Sequence, residues 1–545
     1  MQIVLDIETN YAHDTVWMAA TCDVAMKETA VFTDAASLRN YLTKVDSIIG
    51  HNLIGFDVPV LRKVWDIHIE PRKIIDTLVM SRLYNPSIDG GHSLRAWGIR
   101  MGNEQKGDFT DFDNGLTQEM IDYCVQDTIV NANLYHHLVK LMSEAGFSPM
   151  SIDLEHEVAT YTKQQEDNGF CLDFDMACNI SSEHRERMDD IEQQLQAVFP
   201  PIVTERWSEK TGKQLKDDVE VFNVGSRQQI AKRLETKGAR WSQRTEKGAV
   251  VVNEKTLAAL THIPEAELVL EYLTLQKRIG MVNSWIDSYA SDGRVHGRVN
   301  TCGAVTGRMT HSSPNMAQIP SESIYRDCWT VPDGFNLIGI DASGLELRML
   351  AHYMQDEEYT NEILNGDIHT ANQKAAGLET RNQAKTFIYA FLYGAGDAKI
   401  GSIVGGSSAD GKRLKEAFLE NTPALARLRK KVATNAACGS LEGLDGRRVW
   451  VRSAHAALNT LLQSAGAIVM KQALVLAVNR LRKNHVPFKL VAQVHDEFQV
   501  EAPEAYAEAV GHTFRNSIRR AGECLELRCP LDGEFKVGLS WADTH

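Results

Sequence analysis

The sequence predicts a multidomain α/β protein, and three observations predict it. At 545 residues the chain is long enough for about three or four domains. Strand-like and helix-like patterns alternate from residue 1 to about 145. After a helical, charged middle stretch, mixed strands and helices resume at Gly293 and run to the C-terminus.

Taken in chain order, Val4-Leu-Asp6-Ile-Glu8-Thr9 reads as a strand with acids two residues apart. Period two puts Asp6 and Glu8 on one face, and buried like charges side by side are unfavourable without a cation. His51-Asn52-Leu-Ile-Gly-Phe56-Asp57 follows. Thr117 to Leu138 has helical periodicity and carries Tyr123 and Asp127 at i and i+4, hence on one face. Alone, that pair is an ordinary helix face. Gly146-Phe-Ser-Pro-Met150 reads as a linker and Leu154 to Asn168 as a helix, with helical, charged segments continuing to about residue 288. Phe199 to Glu220 reads as a short polar loop, and Gly405-Gly-Ser-Ser-Ala-Asp-Gly411 as a glycine-rich one.

Two apolar runs further on each deliver a carboxylate. Asn336-Leu-Ile-Gly-Ile-Asp341 ends in one, and Asp496 interrupts Lys489-Leu-Val-Ala-Gln-Val-His-Asp496-Glu497-Phe-Gln-Val. Both read as strands. A single acid in such a place is an ordinary turn or cap residue. Two on adjacent strands can hold two Mg²⁺ ions about 4 Å apart, which suits in-line phosphoryl transfer. Between them, Arg381, Lys385, Tyr389 and Tyr393 recur every four residues on a predicted helix. Two cations at i, i+4 repel by a few tenths of a kcal/mol, and an anion such as a triphosphate would reverse that sign. Glu346 lies on the helix after Asp341, where no pairing with Arg348 is expected at i, i+2. Thr306 to Pro320 is polar and turn-rich, suited to minor-groove or phosphate contacts or to a plain surface loop. Asn459 and Gln463 place two amides one helical turn apart.

Composition limits the function classes. The net charge is −14, which argues mildly against a nucleic-acid binder, although basic side chains outnumber acidic ones from Arg206 to Lys247. Nine scattered cysteines without a CxxC pair count against disulfide and zinc frameworks and fit a reducing compartment. An acid already at residue 6 speaks against a signal peptide. No apolar run reaches about 18 residues, so no membrane span is expected; Leu461 to Val478 reads as a buried helix.

The D-x-E strand, N-x-x-x-F-D loop and Y-x-x-x-D helix, in that order over about 130 residues, resemble the DnaQ-like 3′→5′ exonucleases of the DEDDy type. The resemblance implies an RNase H-like domain at 1–147. In it Asp6, Glu8, Asp57 and Asp127 bind two metals and Tyr123 orients the attacking water. From about residue 150 onward, Asp341-Ala-Ser-Gly-Leu-Glu346-Leu-Arg348, Arg381 to Gly394 and Val494-His-Asp-Glu497 resemble family A (Pol I-like) DNA polymerases. The wording, including His455-Ala-Ala-Leu-Asn-Thr-Leu-Leu-Gln463, is most similar to podovirus-type phage replicative polymerases.

This second resemblance implies a right hand of palm, fingers and thumb over 148–545. The thumb spans about 181–290, the palm about 291–352 and 456–545, and the fingers about 353–455. It implies Asp341 and Asp496 as ligands of two Mg²⁺ (Mn²⁺ substituting), with Glu497 beside them in the catalytic set. Arg381, Lys385 and His369 hold the triphosphate. Tyr389 meets the incoming sugar and base, Tyr393 packs near the templating position, and Glu346 closes the pocket against a ribose 2′-OH. Arg308, Asn315, Gln318, Asn459, Gln463 and His495 track the minor groove and primer end. The expected partners are primer–template DNA, dNTPs and a replicative helicase-primase, in the cytoplasm of a phage-infected bacterium. The thioredoxin-using coliphage enzyme carries a long thumb insertion where this chain has only Pro200 to Val221, so thioredoxin is not expected.

Three alternatives stay open on sequence. The N-terminal motifs and Glu346 count against a single-subunit RNA polymerase. The intact acids count against a DNA-binding scaffold with decayed sites. A repair polymerase would share the chemistry.

Overall fold

A computed structural model describes residues 1–102 and 108–545. The chain forms two compact units. One comprises Met1–Phe170, Gly297–Ser321 and Val331–His545, the other Cys171–His296 and Glu322–Thr330.

In the larger unit, five strands open the chain: β1 (Gln2–Thr9), β2 (Val16–Asp23), β3 (Thr29–Phe32), β4 (Ser47–Gly50) and β5 (Ile74–Asp76). They assemble in the order β3-β2-β1-β4-β5, with β1–β2 and β2–β3 antiparallel and β1–β4 and β4–β5 parallel. Ile3, Leu5 and Ile7 alternate into an apolar core with Leu53 and Leu61, so the alternate positions Asp6 and Glu8 fall on the other face. That face is covered by the helix Gln118–Ala145, whose Cys124 thiol reaches back to the Asp6 carbonyl at 3.6 Å. We label α1 Asp57–Trp65, α2 Gln118–Ala145 and α3 Pro149–Asn168. Thr117 caps α2 through its side chain, and Gly146 closes it in the left-handed region at φ +77°.

A second sheet contains β6 (Phe335–Ala342). The chain then passes through α4 (Leu345–Met354), α5 (Arg381–Leu392) and a small hairpin of β7 (Ser440–Glu442) and β8 (Arg448–Trp450). It returns through α6 (Ala457–Lys483), β9 (Lys489–Val494), β10 (Glu497–Pro503), α7 (Ala507–Cys524) and β11 (Gly533–Gly538). The sheet order is β9-β10-β6-β11, antiparallel throughout. One large core joins Ile338 and Ile340 of β6, Leu350 of α4, Phe387 of α5, Ile468 and Leu474 of α6 and Phe514 of α7. Among the described residues one helix, Ala454–Lys483, is long and apolar enough to cross a membrane. Most of its apolar window is buried in this core, as expected for a helix that is hydrophobic all round.

The smaller unit is built on two long helices, Phe174–Val198 and Pro264–Asp287. Ser181 meets Asn283 while Arg187 meets Glu271, so they run antiparallel. Between them Ile202–Thr204 pairs with Asp218–Glu220. The tract expected to be loop is therefore a β-hairpin; strands of three residues are too short to show a period. The glycine-rich loop is also shorter than expected. Ser407 caps a helix at Ser408–Asn421, and Gly411 lies inside it because a Cβ there would strike the Asp397 carbonyl at 1.8 Å.

Candidate active sites

The second sheet brings its two acids together. Asp341 stands opposite Glu497 in the β6–β10 ladder. Asp496 is the second residue of the two-residue turn between β9 and β10, whose first residue, His495, adopts φ +55°. The Ala342 N–H donates to the Asp496 carbonyl at 3.0 Å and fixes the two segments to each other. Asp341 is reachable by solvent but crowded by protein. That burial, then the charges of Asp496, Glu497, Glu534 and Glu346, raise its carboxyl to about 7. Burial and then Glu346 raise Asp496 as well. Carboxylates that resist ionisation because they face one another form a donor set suited to a hard divalent cation.

Glu497 is placed differently from its neighbours. Its carboxylate accepts from Trp541 Nε1 at 2.7 Å, pairs with His545 Nδ1 at 3.0 Å and also accepts from Gln499. It is buried and already coordinated by protein donors, so its geometry is that of a braced residue beside the acid pair. Gln499, Trp541 and His545 were not legible as site residues, because their approach depends on the final turn of the chain meeting β10.

Gly344, at φ +59°, turns the chain from β6 into α4. This places Glu346 where the Tyr393 hydroxyl donates to it at 2.8 Å and Arg308 lies 3.5 Å away. Arg348 instead donates to the Ser343 carbonyl at 2.8 Å and to that of Pro530. Tyr393 is the C-cap of α5, not part of its helical stripe as expected. Burial, then Glu346, push its hydroxyl up to about 12, so it remains a donor.

On α5, Ala384, Phe387, Ile388 and Phe391 enter the core, which leaves Arg381 and Lys385 exposed and Tyr389 half-buried on the other side. Burial, followed by Glu346, Asp496 and Asp341, raises the Tyr389 hydroxyl. Tyr389 therefore lies beside the acid pair. His369 sits 6.2 Å from Tyr389, ring to ring, and is lowered by burial and then by Arg381. Arg381 pairs with Asp367 at 2.6 Å; the only sequence signal of Asp367 is that of a helix cap.

The remaining expected residues have local roles. Asn315 caps a short turn through Ala317 N–H, Gln463 donates to Asn459 at 2.9 Å, and Gln318 is exposed. His311, not anticipated, is buried near His495 and its imidazole is lowered to about 4, by burial first.

The first sheet builds a second acid cluster. Ligand atoms of Asp6, Glu8 and Cys124 all lie within 4.8 Å of one another. Asp57 starts α1, and its carboxylate accepts from the Ile7 N–H, between the two strand acids, at 3.2 Å. Burial, then Asp6, hold Asp57 well above the usual carboxylate range. Asp127 is buried one turn beyond Cys124 and adds to the charges that, after burial, raise that thiol. Tyr123 packs against Phe109 and Phe112 and lines a cleft of about 1080 Å³ together with His51, Asn52 and Phe56. Asp76 went unnoticed in the sequence. Its carboxylate accepts from the Asn52 and Ile54 N–H groups at 2.9 and 3.0 Å and so shapes the loop that leads to Asp57.

By fold this is a right-hand polymerase. The chain superimposes with a TM-score of 0.82 on the POL domain of Pol1 from M. smegmatis, solved in complex with DNA primer-template and dNTP. The two are 18% identical, and the match covers 99% of this chain and 95% of that one. The DNA-directed DNA polymerases of Escherichia phage T7 and Enterobacteria phage T3 are each 36% identical to it over 91% of this chain and 92% of their own. DNA polymerase I of Aquifex aeolicus is 26% identical over 91% of this chain and 88% of its own. The model of DNA polymerase family A matches residues 202–543, and the chain belongs to that family.

Proposed function

We propose that this chain is a phage replicative DNA polymerase that extends a primer on a DNA template and removes mispaired 3′ ends. The observation that carries this reading is the presence of two separate acid clusters in one chain, Asp341 with Asp496 and Asp6 with Glu8, Asp57 and Asp127.

Each cluster would hold two Mg²⁺, or Mn²⁺ in their place; the ions would stabilise charge on the reacting phosphate and lower the pKa of the attacking hydroxyl or water. At the polymerase site Asp341 and Asp496 provide the carboxylates, and Glu497 stays braced by Trp541 and His545. Arg381, Lys385 and His369 bind the triphosphate, with Arg381 exchanging Asp367 for phosphate. Tyr389 lies against the sugar and Tyr393 near the templating base. Glu346, oriented by Tyr393 and Arg308, occupies the space that a 2′-OH would need. Arg308, Asn315, Gln318, Asn459, Gln463 and His495 follow the minor groove and primer end. At the exonuclease site Tyr123 orients the water. Phosphoryl transfer asks little covalent chemistry of the protein, so positioning and charge carry the catalysis.

A replicative helicase-primase and a bacterial cytoplasm complete the setting. Thioredoxin is not among the proposed partners, since the hairpin at 202–220 is too short to form a partner-binding subdomain. Primer extension on a long single-stranded template, with and without thioredoxin, tests the reading. Template-dependent products of unchanged length in both reactions are expected. No extension would refute the polymerase, and a large stoichiometric gain in length would refute the partner assignment.

A further inference from the structure

The small β7–β8 hairpin is absorbed by neither site, yet it binds to residues 84, 145 and 148 and reaches the palm helix α6 as well. Trp450 Nε1 donates to the Tyr84 carbonyl at 2.6 Å, and the two rings meet edge to face at 6.2 Å. Arg448 Nε donates to the Ala145 carbonyl at 2.6 Å. The Ser148 N–H donates to the Gly446 carbonyl at 3.1 Å, and its hydroxyl donates to that of Asp445. The approach is close: a Cβ on Gly146 would meet Arg448 Nη2 at 2.8 Å, and one on Gly446 would meet Ser148 at 2.6 Å.

Beneath this contact lies a buried ion cluster. Arg447 pairs with Asp445 at 2.7 Å and Glu155 at 3.0 Å, and Lys471 of α6 reaches Glu155 at 2.5 Å and the Thr301 carbonyl at 2.8 Å. The next residue on α3 points the other way. His156 Nδ1 donates to the Ile152 carbonyl, and Nε2 accepts the Asp76 N–H at 2.9 Å. Asp76 in turn holds the Asn52 and Ile54 amides of the loop that leads to Asp57. Two sets of directional bonds, joined through the α3 backbone at Glu155 and His156, therefore link α6 to the exonuclease loop.

We propose that this hairpin, with the Glu155–His156 pair, sets the register between the exonuclease cleft and the palm, and thereby how often a primer end is excised rather than extended. Trp450, Arg448 and His156 are positioning residues in this account. The inference rests on the exonuclease reading given above. Misplacement by 1 Å at a reacting centre can change a rate by about 100-fold, whereas a single strand that enters the cleft directly does not depend on the palm.

The test compares excision of a mismatched primer end in duplex with digestion of a free single strand, using the full chain. Trp450→Ala with Arg448→Ala should lower the duplex-to-single-strand ratio by about fivefold or more while single-strand digestion stays near wild type. Trp450→Phe, which keeps the ring and removes only the N–H, should lower it less, and its thermal unfolding should match wild type. An unchanged ratio in the folded double variant, or an equal fall on both substrates, would overturn the inference alone. No digestion of either substrate by wild type would overturn the exonuclease reading and the inference with it.

Discussion

At the scale of single residues, the proposed chemistry rests on the acids and Tyr389, and their electrostatics make checkable statements. The Tyr389 hydroxyl is held protonated by burial and by Glu346, Asp496 and Asp341, so it can donate to a sugar bound in the proposed site. A dideoxynucleotide lacks the 3′-OH, and a tyrosine hydroxyl can replace the missing hydrogen bond where phenylalanine cannot. One such bond is worth about 0.5–1.5 kcal/mol, and about 1.4 kcal/mol is tenfold in rate. Tyr389→Phe should therefore raise discrimination against dideoxynucleotides several-fold, read by single-nucleotide incorporation in an exonuclease-deficient background. Asp341 gives a pH prediction. Its folded pKa of about 7 lies above the usual 3.8 of an aspartate, so between those limits the folded state binds the extra proton. Without metal its contribution is fully present below 3.8, falls across that window and is lost once pH has passed 7. In chelator at pH 8, Asp341→Asn should raise the unfolding temperature by about 2 °C, modest because solvent reaches the carboxylate. At pH 5 the gain should be smaller, because the shift is only partly developed there; an equal shift at both pH values would remove the electrostatic explanation.

At the scale of elements, the most consequential contact is α3 against α6 through Glu155. Burial opposes the charge on Glu155, but Lys471 and Arg447 outweigh it and hold the carboxyl at about 2. The stabilisation is thus fully present above the usual 4.5 of a glutamate and is lost as pH falls through about 2. Glu155→Ala would leave Lys471 with the Thr301 carbonyl and the Cys302 sulfur as its hydrogen-bond partners, and Arg447 with Asp445 and that same sulfur. Breaking a buried pair in this way costs about 3–5 kcal/mol, which denaturant unfolding should show as a lower midpoint at neutral pH. None of this contact was legible in the sequence, since Glu155 and Lys471 are 316 residues apart and each looks like an ordinary helix position. What was legible is what a local period encodes: the β1 acids, the α2 pair Tyr123 and Asp127, and the Arg381–Lys385–Tyr389 stripe. Tyr393 escaped because a four-residue spacing does not reveal where a helix stops, and the 202–220 hairpin because its strands are too short to alternate.

At the scale of the whole molecule, the chain combines an α/β fold carrying four acids, two on β1 and one each on α1 and α2, with a family A polymerase hand carrying two. The fold class and both acid sets follow from motifs. The bracing of Glu497 by Trp541 and His545, the capping of the 52–54 loop by Asp76, and the hairpin joint depend on tertiary approach and had to be seen. The central claim is that two independent active sites share one chain. The most direct measurement assays primer extension and single-strand 3′→5′ digestion on the same preparations of Asp341→Ala and of Asp6→Ala with Glu8→Ala. The account predicts that the first variant loses extension and keeps digestion, and that the second keeps extension and loses digestion. Loss of both activities in either folded variant, or survival of extension in Asp341→Ala, would contradict it.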